Sequence, residues 1–144
     1  MSSFTSPLIV SPMHNGRNWR LERSFTYRIG KKYSRHFISV PKGFVTDFAS
    51  IPKLFWLLPY WAKYNKSPVL HDWLYQSKQI MGKPITRKKA DSIFLEAMLV
   101  EWRGHKLRCV IALVEYCMVR LFGEFAWYKR TIKKEGAESP PPLL

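Results

Sequence analysis

Hydrophobic and polar positions alternate through the first third of the chain and then change to a longer period. Trp19 and Leu21, followed by Phe25, Tyr27 and Ile29, keep to every second position, the repeat of strands with one covered face. Leu8 to Val10 forms a short strand ahead of a loop through Pro12, Asn15 and Gly16. Gly30-Lys31-Lys32 makes a turn, and His36-Phe37-Ile38-Ser39-Val40 returns as the antiparallel mate. Pro41-Lys42-Gly43 closes this small sheet.

Beyond it the spacing becomes helical. Asp47 or Ser50 caps a short apolar helix from Ile51 to Leu58, with Pro52 near its start. Ser67 is read as the N-cap of the next helix and Pro68 as its first residue, where a missing N–H costs nothing. Val69, Leu70, Trp73 and Leu74 form its apolar stripe, and Gly82 and Pro84 end the element. Thr86 caps a helix with Ala90, Asp91, Phe94, Leu95 and Met98 on one side, and Gly104 breaks it. A last helix runs from about Lys106 to Lys129, with Leu107, Ile111, Val114, Met118, Leu121, Phe122 and Phe125 giving a broad apolar face. That face serves as a core wall or as an interface, and Gly123 either kinks the helix or permits close packing. The pattern predicts an α+β fold, a small N-terminal antiparallel β-meander packed with a C-terminal bundle of three to four helices. Residues 1–134 make one globular domain, and 135–144, with three consecutive prolines, make a disordered tail.

Charge changes this picture more than composition does. With 24 Lys and Arg against 10 Asp and Glu, the formal charge of +14 points to a polyanionic partner, either an anionic membrane surface or nucleic acid. Six Trp, seven Tyr and nine Phe suit core packing first, and membrane-interface or base-stacking contacts second. Cys109 and Cys117 lie eight residues apart on one expected helix, about 12 Å along its axis, too far for a disulfide. They read as buried thiols in a reducing compartment. The first residues lack the pattern of a signal peptide, and Glu115, Arg120 and Glu124 interrupt the longest apolar run, which excludes a membrane span. The expected location is a host cytoplasm or a virion.

The candidate chemistry gathers around Leu70-His71-Asp72-Trp73-Leu74-Tyr75. His71 and Tyr75 are four apart and share a helix face, whereas Asp72 lies about 100° round the axis and diverges from His71. The chain has three aspartates, Asp47, Asp72 and Asp91, and each stands in a segment already singled out. If the helices from Ser67 and Thr86 pack antiparallel, Asp91 reaches the face that carries His71 and Tyr75. A carboxylate accepting from one ring nitrogen fixes the tautomer and leaves the other to take a proton from water. Asp72, facing away, suits a hard, oxygen-ligated cation such as calcium, with help from loop carbonyls. The bland alternative makes His71 and Asp91 a buried structural pair and Asp47 a turn or cap residue.

His71-Asp72-Trp73-Leu74-Tyr75, followed by a helix with Ala90-Asp91-Ser92-Ile93-Phe94, resembles the helix pair of secreted and bacterial phospholipases A2. The resemblance implies His71 as base, Asp72 as calcium ligand, Asp91 as the residue orienting His71, and Tyr75 as its support. The cysteines that tie the two helices in that family and its glycine-rich calcium loop are not present here, so the segment from Gly43 to Pro52 would have to replace the loop, with Asp47 as a further ligand and Thr46 and Ser50 in support. A longer resemblance joins Gly43-Phe44-Val45-Thr46-Asp47-Phe48-Ala49-Ser50-Ile51-Pro52 to the His71 and Asp91 helices. It is similar to the phage and prophage family called domain of unknown function 1353, and implies a viral or prophage origin without an activity.

Three readings follow. The first is a hydrolase with a His–Asp dyad, metal-assisted by calcium, acting on an ester at a membrane surface. The second is a metal-dependent phosphohydrolase, because Leu70-His71-Asp72 also resembles the His-Asp pair of that superfamily; zinc would then be the ion, with His14, His36 and His105 as the remaining histidines. The third is a non-enzymatic phage protein that binds virion proteins or nucleic acid.

Overall fold

Eight short strands and three helices emerge from the computed structural model, which describes residues 1–48 and 65–135. The strands are β1 (Ser3–Phe4), β2 (Val10–Pro12), β3 (Trp19–Leu21), β4 (Phe25–Arg28), β5 (Phe37–Val40), β6 (Val45–Thr46), β7 (Gln79–Ile80) and β8 (Lys83–Pro84). The helices are α1 (Lys66–Ser77), α2 (Arg87–Glu101) and α3 (Lys106–Glu135). The architecture is α+β, with antiparallel strands first and helices after. The expected helix from Ile51 to Leu58 and the expected tail beyond residue 135 lie outside the described residues.

The N-terminal strands divide between two antiparallel sheets, β1-β4-β5 and β2-β3-β6. The alternating stretch from Trp19 to Ile29 is therefore two strands, β3 in one sheet and β4 in the other. In β4 and β5 the alternation is literal: Phe25, Tyr27, Ile38 and Val40 point inward and are buried, while the residues between them face outward or lie at the margin. Leu21, Phe25, Tyr27 and Val40 meet Val69, Leu70 and Leu74 of α1 and Ala90, Ile93 and Ala97 of α2 in one core. A second cluster, Phe94, Met98, Trp102, Ala112 and Val119, joins α2 to α3.

A hairpin turns the chain between α1 and α2. Lys78 takes a left-handed conformation at the end of α1, and its N–H donates to the carbonyl of Leu74. Met81 and Gly82 both have positive φ, 50° and 77°, which gives the two-residue turn of the β7–β8 hairpin. The helices then run antiparallel, so that the start of α1 meets the end of α2: the N–H groups of Lys66 and Ser67 donate to the Glu101 carboxylate at 3.0 and 3.1 Å, and the Ser67 hydroxyl donates to it as well.

That cap corrects one expectation. The helix starts a residue earlier than Ser67, with Asn65 at the N-cap position, and Ser67 is a buried second residue rather than the cap. A carboxylate 34 positions away serves the first N–H groups instead. The Thr86 cap is as expected, its hydroxyl accepting from the Lys89 N–H at 3.2 Å. Gly104, at φ 85°, separates α2 from α3. The cysteine expectation changes in one respect: both are free thiols, and Cys117 is exposed because it stands on the outer side of α3.

Candidate active site

Asp91 is the centre of the site. It sits in the second turn of α2, fully buried, and its two oxygens divide their partners. Oδ1 lies 2.9 Å from His71 Nε2 and accepts from the Tyr75 hydroxyl at 2.6 Å. Oδ2 accepts from Arg120 Nη1 at 2.7 Å, and Arg87 Nη1 stands 3.7 Å away. Burial by itself would raise the Asp91 carboxyl, but hydrogen bonds from His71, Tyr75 and Arg120 outweigh it and hold the group below its ordinary value. An ionised carboxylate only accepts, so the network assigns the proton of a neutral His71 to Nε2 and leaves the Nδ1 lone pair as the basic site.

Packing fixes the two rings as firmly as the hydrogen bonds do. The His71 ring stacks on Phe94 at 4.5 Å between centroids and lies 4.2 Å from the ring of Tyr75. Tyr75 stands edge-on to Trp127 at 5.1 Å, and burial together with the Asp91 charge pushes its phenol above the usual range. His71 Nε2 and the Tyr75 hydroxyl reach the same oxygen because the i, i+4 spacing places both on one face of α1. The antiparallel return through the β7–β8 hairpin brings Asp91 to that face.

α3 closes the site from the other side. Arg120 reaches Asp91, and Arg87 donates to the carbonyls of Val119 and Arg120 at 3.2 and 3.1 Å, tying α2 to α3 at the same level. Gly123 sits directly over Tyr75: a Cβ at this position would lie 2.7 Å from the Tyr75 hydroxyl oxygen. Of the two roles expected for Gly123, close packing is the one that this contact requires.

Asp72 belongs to a separate contact. It is buried about 100° round α1 from His71, where its Oδ2 accepts from the Thr46 hydroxyl at 2.5 Å, and the same Thr46 oxygen accepts from the Phe48 N–H. The pair fastens β6 to α1. Asp47 is exposed, and Ser50 lies outside the described residues. Among the described residues no three His, Cys, Asp or Glu side chains gather as a metal site. With one Asp72 oxygen engaged by Thr46 and Asp47 on the surface, the described donors do not assemble the calcium set that the sequence suggested.

Arg87, Arg120, Phe94, Gly123 and Trp127 are members that sequence reasoning missed. A buried aspartate requires cationic partners, and that requirement was the available signal. Arg87 supplies one locally, as the i, i+4 partner of Asp91 on α2, whereas the choice of Arg120 among 24 cations depends on how α3 docks. A cleft of about 410 Å³ opens elsewhere, at the start of α1 beside Ser3, Phe4, Lys66, Glu101 and Trp102, and none of the His71 group lines it.

Fold and site define a class: an α+β protein in which α1 and α2 hold a buried histidine–aspartate pair braced by tyrosine and arginine. The chain belongs to the family described as protein of unknown function (DUF1353), which it matches over residues 19–117. The match runs from β3 into the first half of α3, and so includes Thr46, His71, Asp72, Tyr75 and Asp91 but ends before Arg120 and Gly123. Comparison with curated proteins and with solved structures returns no match.

Proposed function

We propose that this protein is a phage- or prophage-encoded hydrolase in which His71 is the general base, acting on an ester at an anionic membrane surface. The observation that carries the proposal is the contact of His71 Nε2 with Asp91 Oδ1 at 2.9 Å, made on the same oxygen that Tyr75 holds. That geometry is the orienting half of a base–carboxylate dyad. Nδ1 takes a proton from water, the hydroxide oxygen bonds to the ester carbonyl carbon, and collapse of the adduct breaks the bond to the alkoxide. The imidazolium then returns its proton to the alkoxide. Arg120 and Arg87 neutralise much of the Asp91 charge, so in this scheme Asp91 positions the ring more than it raises its basicity. The choice of a membrane-borne ester rests on the net charge of +14 and on the phospholipase-like spacing of His71, Tyr75 and Asp91.

Burial favours a second reading. His71 and Asp91 are 1% and 0% exposed, as expected of a clamp between helices in a non-enzymatic virion or nucleic-acid-binding protein. His71→Gln separates the two, because a glutamine amide can donate to Asp91 as Nε2 does but offers no base in place of Nδ1. Hydrolysis of dispersed phosphatidylglycerol should fall by about 10²–10⁴-fold in this variant while thermal stability stays near wild type. Equal hydrolysis by variant and wild type, or none by wild type, would overturn the hydrolase reading and leave the clamp.

A further inference from the structure

The outward side of α3 carries a continuous apolar stripe that no part of the described chain covers. Leu107, Val110, Val114, Leu121, Phe125 and Tyr128 are all exposed, with Leu121 at 70% and Phe125 at 76%. Cys117, also exposed, fills the gap between Val114 and Leu121. At about 100° per residue these positions fall within about 80° of one another, on the side of the helix away from the buried Ala112, Val119 and Gly123. Phe122 and Leu113 widen the stripe on either flank. A helix of 30 residues is about 45 Å long, so this is one extended face rather than a scatter of surface hydrophobics.

Charge decides what covers it. Exposed Arg103 and Lys106 stand at the near end of the stripe and Lys129 at the far end, while its one exposed acid is Glu124 on the rim. Two copies pairing along this face would set basic end against basic end in either orientation, with +14 on each chain. An anionic lipid surface instead meets apolar residues with its acyl boundary and basic ends with its headgroups, the arrangement of a helix lying in the interface plane. No helix among the described residues is long and apolar enough to cross a membrane, so α3 would lie on the surface rather than span it. We infer that the Leu107–Tyr128 face of α3 docks the protein onto anionic phospholipid. The inference deepens the membrane-surface part of the proposed function, and docking is measured without turnover, so either can fail alone.

The test is flotation with vesicles of phosphatidylcholine alone and with phosphatidylglycerol added, using the whole chain and a Leu121→Asp/Phe125→Asp variant, alongside light scattering of each protein without lipid. Both sites are exposed, so the fold should survive the change. Wild type should bind the anionic vesicles at least tenfold better than neutral ones, and the variant should lose that binding at least tenfold. A second readout keeps Leu121 and Phe125 in place: in a Cys109→Ser background, an environment-sensitive fluorophore on Cys117 should shift to the blue when phosphatidylglycerol vesicles are added. Vesicle binding unaffected by the double substitution, an unshifted fluorophore, or a wild-type dimer that the substitution dissociates would each overturn the inference, the last assigning the face to a second copy.

Discussion

Gly123→Ala is the sharpest test of the packing around the site, because helix propensity and tertiary contact give opposite signs. Within a long helix, alanine is preferred over glycine by about 1 kcal/mol, so α3 taken alone predicts stabilisation. In the folded protein the new Cβ would lie 2.7 Å from the Tyr75 hydroxyl oxygen, about 0.7 Å short of the 3.4 Å at which ordinary contact begins. The phenol cannot rotate away cheaply, since Trp127 stands against one side, His71 against another, and Asp91 holds its tip at 2.6 Å. Displacing it sacrifices a hydrogen bond to a buried carboxylate, a loss of about 1.5–3 kcal/mol. The net expectation is destabilisation by about 0.5–2 kcal/mol, or about 2–6 °C in Tm for a chain of this size. Urea denaturation followed by circular dichroism reads it directly. In a Tyr75→Phe background the obstructing oxygen is gone and the remaining ring carbon lies 3.7 Å away, so the same substitution should stabilise by about 1 kcal/mol. The double-mutant cycle should then show a coupling of about 1.5–3 kcal/mol between positions 75 and 123. A Gly123→Ala protein more stable than wild type, or a cycle without coupling, would refute the close approach of α3 to the site.

The remaining predictions concern carboxyls away from the dyad. Glu115 on the inner side of α3 is fully buried with neither oxygen hydrogen-bonded, and burial pushes its carboxyl up to about 8. Its folded value lies above its unfolded one, so its most favourable contribution is complete below pH 4.5 and declines as pH rises towards 8, by about 1.4 kcal/mol per unit at most. Glu115→Gln should flatten that slope and raise stability at pH 7.5 by about 2 kcal/mol, measured by denaturation across pH; an unchanged slope would show that the carboxyl is hydrated. Glu101 caps α1 from the end of α2, and Glu101→Ala should cost about 1–2 kcal/mol in the same assay, whereas a loss below a few tenths would mean that water caps the helix equally well.

Local chemistry made much of this molecule legible in its sequence. The alternation at Phe25, Tyr27, Ile38 and Val40 marked the strand residues that are buried, Thr86 marked the start of α2, and Gly104 marked the break before α3. The meeting of His71, Tyr75 and Asp91 was legible too, because it needs only an i, i+4 pair on one helix and an antiparallel neighbour. Its chemical role remains the proposal tested above.

What only the tertiary structure decided are the choices for which local patterns are degenerate. Ser67 has the side chain of a cap, yet the carboxylate that satisfies the first N–H groups of α1 comes from Glu101, a partner that exists only once the helices lie side by side. Arg87 is the i, i+4 partner of Asp91 on α2, but Arg120 compensates Asp91 only because α3 crosses above it, and nothing local distinguishes Arg120 from the other cations. Most telling is α3 itself. Its bulkier stripe, with Leu107, Val114, Leu121 and Phe125, faces outward, whereas Ala112, Val119 and Gly123 turn in. Apolar periodicity identifies a face that avoids water, but two helices can approach closely only through small side chains. A helix apolar on both sides therefore buries the side that fits and leaves the other exposed among the described residues.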